Sequence, residues 1–353
     1  MIKKTALFEI HKKLGGKLVN FAGWMMPLNF GSQIQEHHQV RQNAGIFDVS
    51  HMTVIDVIGD DAFQYLTRIL ANDISLLQKA GRALYTLMLN ESAGIIDDII
   101  VYRRSDGYRI VSNAVTRERV LAWLHSKNVE NAVIEEKHLA MIAIQGPKAA
   151  ELFRDINWGP IPSVPFTFVE KDELFVARTG YTGEDGIEVI LPESLCPCLY
   201  EELISAGASP VGLGARDSLR VEAGFNLYGQ DMDENTNPFV SNLGWTVKGL
   251  QDKRGFIGKD ALINAQLSGP KTKLIGLVLD AKGVIRQGQT VYTGAGIGVV
   301  TSGVFSPTLG RSIGLARLPA EAQGDCEIEL RGQRLGAQIV KPPFVRRGKR
   351  VYK

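Results

Sequence analysis

Residues 82–102 read Arg-Ala-Leu-Tyr-Thr-Leu-Met-Leu-Asn-Glu-Ser-Ala-Gly-Ile-Ile-Asp-Asp-Ile-Ile-Val-Tyr, two apolar runs around a turn, with Asp97 and Asp98 central in the second. Successive side chains of a strand point to opposite faces, so these two carboxylates must diverge. Asp98 then shares a face with Ile96 and Ile100, a setting that favours a raised pKa and suits proton transfer. The alternative is that one aspartate faces solvent on an edge strand while the other caps a turn.

The sequence on either side of this stretch alternates helical and strand patterns up to about residue 235. Helical patterns cover residues 5–15, 32–44, 61–70, 116–127 and 148–155, and another helix opens within 212–228. Strand patterns cover residues 52–58, 108–113, 141–145, 174–179 and 187–191. Mixed order with tight hairpins predicts an α+β fold rather than a doubly wound parallel sheet.

The pattern changes after about Lys271, where helical periodicity almost disappears and glycine-rich turns become frequent. Short strands are predicted over residues 274–279, 290–292, 298–301, 313–318, 326–330 and 336–340. This spacing indicates a small β-barrel or sandwich of roughly eighty residues. The chain ends in a basic segment, residues 341–353, which is either a solvated terminus or a patch for an acidic partner.

The composition describes an ordinary globular protein of two or three domains. The chain has 353 residues, of which 44% are hydrophobic and 22% charged, with a net charge of +2. That charge is too small for a nucleic-acid-binding signature, and no apolar run reaches membrane-spanning length. Three cysteines form no disulfide framework, which together with the missing signal-peptide core predicts a cytoplasmic protein.

Several suggestive motifs lack the context their chemistry requires. Adjacent His37 and His38 point in different directions from a helix and cannot share a metal ion. Asp48, Ser50 and His51 have the residue types of a hydrolase triad, but no nucleophile-elbow motif surrounds the serine. The glycine-rich segments at 212–214 and 294–298 lack the strand, helix and acidic residue of a dinucleotide loop.

Two further segments fit an acidic heterocyclic ligand better. Glu188 follows a glycine-rich turn within an apolar strand, where it can accept paired hydrogen bonds from a heterocycle, or lie exposed on an edge strand. Arg216 and Arg220 lie one helical turn apart. They suit carboxylate recognition, and they equally suit an internal network with acidic residues.

Together these segments resemble the glycine cleavage T-protein (aminomethyltransferase) family over essentially the whole chain. The motifs that carry this resemblance are residues 21–27, 47–52, 94–101, 178–186, 212–220, 227–234, 243–246 and 301–310. One departure is visible, because the family has Gly-Gly where this chain has Ala93-Gly94. Alanine is tolerated at that turn unless the position needs a positive φ.

The resemblance implies a three-domain cloverleaf around a central folate channel. Two interleaved α+β domains would comprise residues 1–50 with 140–235 and residues 51–139 with 236–271. A C-terminal small β-barrel would comprise residues 272–353.

The resemblance also implies the reaction and its partners. Ammonia leaves an aminomethyl group on the lipoyl arm of H-protein, and the carbon bridges N5 and N10 of tetrahydrofolate. The products are 5,10-methylenetetrahydrofolate and dihydrolipoyl H-protein, and P-protein and L-protein belong to the same system. No metal is implied.

Residue roles follow from the same resemblance. Asp98 is the implied catalytic acid, which orients the nucleophile, relays a proton and stabilises a cationic carbon. Glu188 would hold the pterin, and Arg216 would contact either the pterin or the glutamyl carboxylate. The implied channel lining consists of Tyr85, Tyr181, Met52, Asn113 and Trp245, each of which is otherwise ordinary core.

Two rival functions share this fold. One is a folate-dependent demethylase, against which the close matches at residues 47–52 and 94–101 weigh. The other is a non-catalytic folate-binding iron–sulfur assembly factor, typified by a cysteine in a Lys-Gly-Cys-Tyr-type motif. The corresponding residues 226–231, Asn-Leu-Tyr-Gly-Gln-Asp, have no cysteine.

Overall fold

The computed structural model describes residues 2–352, and the six predicted helices are present together with two that were not predicted, Cys196–Ser205 and Lys259–Ser268. The helices are α1 (Phe8–Lys13), α2 (Gln33–Gln42), α3 (Ala62–Ile69), α4 (Arg117–Ser126), α5 (Ala149–Asp155), α6 (Cys196–Ser205), α7 (Leu213–Glu222) and α8 (Lys259–Ser268). The Ser32 hydroxyl accepts the backbone N–H of Gln35 at 3.3 Å and caps α2, where the sequence predicts the start of a helix. No helix within residues 2–352 has both the length and the apolar character needed to span a bilayer.

A six-stranded sheet carries Glu188. Its strands are β3 (Gly45–Asp48), β9 (Ala140–Gln145), β10 (Phe168–Lys171), β11 (Leu174–Ala177), β12 (Gly186–Leu191) and β13 (Ser209–Pro210), in the order β10-β11-β12-β9-β3-β13. Every residue of β9 and β12 is buried. Side chains from α5 and α6 pack with these strands in one core cluster, so Glu188 lies on an interior strand and its edge-strand alternative is wrong.

A five-stranded sheet carries Asp98. Its strands are β4 (Thr53–Ile58), β5 (Arg82–Leu89), β6 (Ile95–Arg103), β7 (Gly107–Ser112) and β8 (Val133–Lys137), in the order β5-β6-β7-β4-β8. The predicted hairpin of β5 and β6 is confirmed, and β6 is an interior strand. Asp97 is fully buried and Asp98 is half-buried. The alternative that placed one aspartate in solvent on an edge strand is therefore wrong.

The C-terminal segment forms a closed barrel, which decides between the predicted barrel and sandwich. Its strands are β14 (Thr272–Leu279), β15 (Thr290–Thr293), β16 (Gly296–Ser306), β17 (Arg311–Pro319), β18 (Asp325–Leu330) and β19 (Gln333–Val340), in the order β14-β17-β16-β15-β18-β19. All six predicted strands are present. Closure pairs every strand on both sides and leaves no open sheet edge.

Two small hairpins complete the strand set. The first joins β1 (Lys17–Phe21) to β2 (Trp24–Asn29), and the second joins β20 (Val345–Arg346) to β21 (Lys349–Arg350). Phe344 and Tyr352 flank the second hairpin and are buried in a core cluster with barrel residues. Residues 344–352 of the basic C-terminal segment are thus folded rather than a plain solvated terminus, although the four basic side chains of this hairpin are exposed: Arg346, Arg347, Lys349 and Arg350.

The chain divides into two compact units. Unit 1 comprises Met1–Phe63, Leu76–Leu84 and Ile100–Asp217, and unit 2 comprises Gln64–Ser75, Tyr85–Ile99 and Ser218–Lys353. Glu188 and Arg216 belong to unit 1, whereas Asp98 belongs to unit 2. The candidate site residues are accordingly described unit by unit.

Candidate active site

In unit 2, Asp98, Tyr85 and Trp245 form a group that we name the acid cluster. The Tyr85 hydroxyl donates a hydrogen bond of 3.0 Å to Asp98 Oδ2. The Tyr85 ring stacks on the Trp245 indole, with ring centroids 5.8 Å apart and planes inclined by 18°. The hydrogen bond restricts the rotation of the Asp98 carboxylate, and the stacked indole restricts the ring that makes it.

Trp245 is largely exposed and borders an open cavity. Its side chain is 62% accessible, although stacking on Tyr85 covers one face of the indole. The cavity has a volume of about 410 Å³ and is lined by Phe239, Asn242, Gly244, Trp245, Gln266 and Pro270. Trp245 therefore presents an aromatic surface beside the residue that holds Asp98.

The turn between β5 and β6 fixes where the Asp98 strand begins. Asn90 Oδ1 accepts the backbone N–H groups of Ser92 at 3.0 Å and Gly94 at 2.8 Å. Ala93 has a φ of +65°, so the departure from Gly-Gly falls on the position that favours glycine. Gly94 is required for another reason, because an added Cβ would lie 1.7 Å from the Glu234 carbonyl oxygen.

In unit 1, Glu188, Thr179, Arg216 and Tyr181 form a second group, the Glu188 cluster. Glu188 is only 6% exposed, and the Thr179 hydroxyl donates a 2.6 Å hydrogen bond to its Oε2. Burial raises the pKa of the Glu188 carboxyl, which the Thr179 hydrogen bond and the Arg216 charge partly oppose. A buried carboxylate of this kind is stabilised further by any N–H donors that a ligand supplies.

Arg216 supplies the positive charge of this cluster. Its guanidinium carbon lies 4.8 Å from the centroid of the Tyr181 ring and 5.9 Å from that of Phe47. Burial lowers the pKa of Arg216, and the Glu188 charge opposes this shift. The Nη1 atom is buried and has no hydrogen-bond partner within residues 2–352. Because an unsatisfied buried donor costs about 1–3 kcal/mol, this atom marks a place for an acceptor.

His51 is a neighbour of Arg216 that the sequence analysis considered only as part of a triad. It is 4% exposed, and burial followed by the Arg216 charge lowers its pKa to about 4. The imidazole is therefore neutral at physiological pH. The nearby Asp48 charge acts in the opposite direction.

Two of the three residues with triad chemistry, Asp48 and Ser50, serve structural hydrogen bonds. Asp48 Oδ2 accepts from the Thr5 hydroxyl at 2.6 Å and lies 2.9 Å from His11 Nε2. Burial opposes ionisation of Asp48, but the His11 hydrogen bond and charge hold its pKa below the usual range. The Ser50 hydroxyl donates to the Met141 carbonyl at 3.2 Å.

Glu36, which directly precedes His37 and His38, has structural hydrogen-bond partners. The Glu36 carboxylate accepts the backbone N–H groups of Phe30 at 2.7 Å and Gly212 at 2.9 Å. Within residues 2–352, no group of three or more histidine, cysteine, aspartate or glutamate side chains is arranged to hold a metal ion.

Three residues singled out from the sequence, Arg220, Met52 and Asn113, belong to neither cluster. Arg220 is 1% exposed and pairs with Asp231 at 2.8 Å, so the internal-network alternative is correct for this arginine. Met52 follows β3 and is half-buried. Asn113 is half-buried and precedes a single 3₁₀ turn, where its carbonyl accepts the Thr116 hydroxyl at 2.9 Å.

The sequence matches two family models along most of the chain. Residues 7–250 match the model described as the GCVT N-terminal domain, and residues 272–346 match the glycine cleavage T-protein C-terminal barrel domain. The structure is similar to the crystal structure of the glycine cleavage system aminomethyltransferase T from Bartonella henselae. The TM-score is 0.93 at 35% identity, with both chains covered completely. These matches define a transferase of α+β fold with a C-terminal barrel.

Curated relatives narrow the class to one family. The chain is 52% identical to an aminomethyltransferase from Alcanivorax borkumensis, an alignment that covers 100% of this chain and 99% of that protein. It is 48% identical to an aminomethyltransferase from Pseudomonas syringae pv. tomato, with 99% of each covered. The chain belongs to the glycine cleavage T-protein family, the aminomethyltransferases, and the predicted membership is confirmed.

Proposed function

We propose that the chain transfers the one-carbon unit of the glycine cleavage system to tetrahydrofolate. The aminomethyl carbon loses its bonds to sulfur and to nitrogen and gains bonds to N5 and N10. The two protons that leave N5 and N10 go to the amine, which departs as ammonia, and to the lipoyl sulfur. No oxidant or reductant is needed, because the carbon keeps its oxidation level.

The arrangement of the Glu188 cluster is the observation that carries this proposal. The amino group and adjacent ring N–H of a pterin are two parallel donors, next to a carbonyl acceptor. Glu188 offers a buried carboxylate, and Arg216 offers a buried donor at Nη1 without a partner within residues 2–352. The residues present therefore fit the pterin. Tetrahydrofolate would supply the two amine nitrogens that accept the carbon.

Asp98 is the proposed catalytic residue. Its half-buried carboxylate can accept a proton from a folate amine and pass one to the departing nitrogen. The Tyr85 hydroxyl at 3.0 Å fixes the direction in which the carboxylate lone pairs point. A negative charge held at this point also stabilises positive charge that develops on the transferred carbon.

The remaining residues predicted to line the folate channel are also proposed as folate contacts. Tyr181 is supported by its contact with the Arg216 guanidinium, and Tyr85 and Trp245 are supported by their stacking in the acid cluster. Met52 and Asn113 are proposed from the family resemblance and their half-buried positions.

We propose lipoylated H-protein as the partner that delivers the substrate, within a system that includes P-protein and L-protein. The exposed basic side chains of residues 345–350, which we name the basic hairpin, would attract an acidic partner surface. We also propose a cytoplasmic location, since Cys196, Cys198 and Cys326 are free thiols and Cys198 is exposed.

The three-domain division is proposed with the boundaries given above. All strands of the six-stranded sheet fall within residues 1–50 and 140–235, and all strands of the five-stranded sheet fall within 51–139. The barrel strands fall within 272–353, where the C-terminal family model also matches.

The direct test supplies the protein with aminomethylated H-protein and measures ammonia release with and without tetrahydrofolate. We expect stoichiometric formation of ammonia and 5,10-methylenetetrahydrofolate, with release strongly accelerated by the folate. A methylated amine or sulfonium offered in place of H-protein tests the demethylase alternative. Turnover of that substrate, with none of aminomethylated H-protein, would overturn the proposal.

A further inference from the structure

Asn72, which lies just after α3, holds the backbone of the residue that contacts Asp98. Its side-chain Nδ2 donates to the Tyr85 carbonyl at 3.0 Å, and its backbone N–H donates to the Thr86 hydroxyl at 3.1 Å. Its Oδ1 accepts the backbone N–H of Asp73 at 2.9 Å. Asn72 is 3% exposed, so water cannot readily replace these bonds.

Asn72 is itself fixed by Arg254. The guanidinium Nη1 donates to the carbonyls of Leu70 at 2.9 Å and Asn72 at 3.3 Å, and Nη2 donates to that of Ala71 at 2.8 Å. These bonds hold the exit of α3 in one conformation. The Asn72 amide is therefore a rigid attachment point for β5.

We propose that Asn72 is a positioning residue for Tyr85, and through Tyr85 for the Asp98 carboxylate. The hydroxyl lies at the far end of a long side chain, so a small rotation of the Tyr85 backbone displaces it considerably. Hydrogen bonds weaken steeply as distance and angle depart from their optimum. The kinetic part of this inference rests on the proposed catalytic role of Asp98.

The kinetic test compares Asn72→Ala, Tyr85→Phe and the double variant. We expect each single variant to lower kcat about tenfold, the effect of losing one hydrogen bond that orients a reacting group. The KM for tetrahydrofolate should stay within about twofold of the parent value. Because both changes remove the same bond, kcat of the double variant should equal that of Tyr85→Phe. Multiplied losses in the double variant would overturn the proposal.

A spectroscopic test does not depend on catalysis. With tyrosine labelled at the ring carbon that bears the hydroxyl, the carbon-13 shift of Tyr85 reports the hydrogen bond to Asp98. The Tyr85→Phe spectrum assigns the signal, and the Asp98→Asn spectrum gives its position without the carboxylate. Asn72→Ala should move the signal toward the latter position, and an unmoved signal refutes positioning. Full activity of Asp98→Asn would instead refute the proposed function and leave this test valid.

Two further variants separate positioning from general stability. Ser312→Ala is the matched control, because it removes two buried hydrogen bonds from the barrel of the same unit and should lower stability without moving the Tyr85 signal. Should Asn72→Ala not fold, Asn72→Asp keeps the acceptor for the Asp73 N–H and removes the donor to the Tyr85 carbonyl. Asn72→Asp should shift the Tyr85 signal in the same way. A Tyr85 signal at its position in the parent protein would overturn the proposal.

Discussion

Gly94→Ala tests how the turn before β6 places the Asp98 strand. The new Cβ would lie 1.7 Å from the Glu234 carbonyl oxygen and 2.7 Å from Asn90 Nδ2, whereas real Cβ contacts are essentially never under 3.0 Å. The Glu234 carbonyl belongs to packed backbone, and Asn90 Nδ2 belongs to a hydrogen-bonded side chain. Neither group can rotate away freely. The carbonyl must retreat by more than about 1 Å, which a close-packed turn resists.

The cost follows from the bonds that such a retreat breaks. Asn90 Nδ2 donates to the Glu234 carbonyl at 3.2 Å, and the backbone N–H of Ile95 donates to the Asp233 carbonyl at 3.0 Å. Each bond contributes about 1 kcal/mol, and overpacking adds about 1–3 kcal/mol. We expect a loss of about 3–5 kcal/mol in the free energy of unfolding of the segment that holds Gly94.

Ala93→Gly is the matched control at the preceding residue. Relief of the +65° φ favours glycine by about 1–2 kcal/mol. Loss of a buried methyl group costs about 0.8 kcal/mol, and the freer unfolded chain costs about 0.4–1 kcal/mol. These contributions nearly cancel, so this variant should stay within about 1 kcal/mol of the parent.

Urea unfolding followed by tryptophan fluorescence measures both variants. Gly94→Ala should move the unfolding midpoint to clearly lower urea with an unchanged slope. Ammonia release should fall with it, because the register of β6 sets the position of Asp98. A Gly94→Ala midpoint equal to that of the parent would refute the steric argument. A large loss in Ala93→Gly would refute the balance drawn for its positive φ.

The remaining predictions concern the proposed chemistry. Asp98→Asn should lower ammonia release by at least about a hundredfold while folate binding persists, measured by steady-state kinetics and calorimetry. Glu188→Gln should weaken folate binding about tenfold or more. Because the pKa of Glu188 is raised above 4.5, its carboxylate becomes protonated already above pH 4.5, and the folate affinity of the parent should fall as the pH decreases through this range. The folate affinity of Glu188→Gln should not show this pH dependence. Neutralising the basic hairpin should slow turnover mainly at low salt, as added salt screens the attraction; an unaltered salt dependence argues against docking there.

The sequence predicted elements whose signals are local. The β5–β6 hairpin and the six barrel strands follow from short apolar runs between turn residues, and the start of α2 follows from the capping chemistry of Ser32. Helices α6 and α8 and the β1–β2 hairpin were not predicted. In the hairpin, the apolar residues are consecutive rather than alternating, as in residues 24–28. The steric demand at Gly94 was also hidden, since it depends on Glu234, a residue 140 positions further along the chain.

Arg216 and Arg220 show why the candidate site could be predicted only in part. Both lie on α7 four residues apart, and the sequence gives them equal claims to ligand recognition or an internal network. Arg220 donates to Asp231 at 2.8 Å, to the Ser302 hydroxyl at 2.9 Å and to the Phe225 carbonyl at 3.2 Å. The fold thus uses this arginine to join its own segments.

Arg216 differs because the fold leaves part of its hydrogen-bonding capacity unused. Its Nη1 is buried without a partner within residues 2–352, although Glu188 and Tyr181 stabilise its charge. Folding accepts a cost of about 1–3 kcal/mol for such a donor, and a ligand acceptor recovers that free energy on binding. An arginine whose N–H donors are all satisfied within the fold contributes to stability. An arginine with an unsatisfied N–H donor can contribute to the affinity for a ligand. The difference between these two side chains therefore favours Arg216, rather than Arg220, as the residue that meets the ligand.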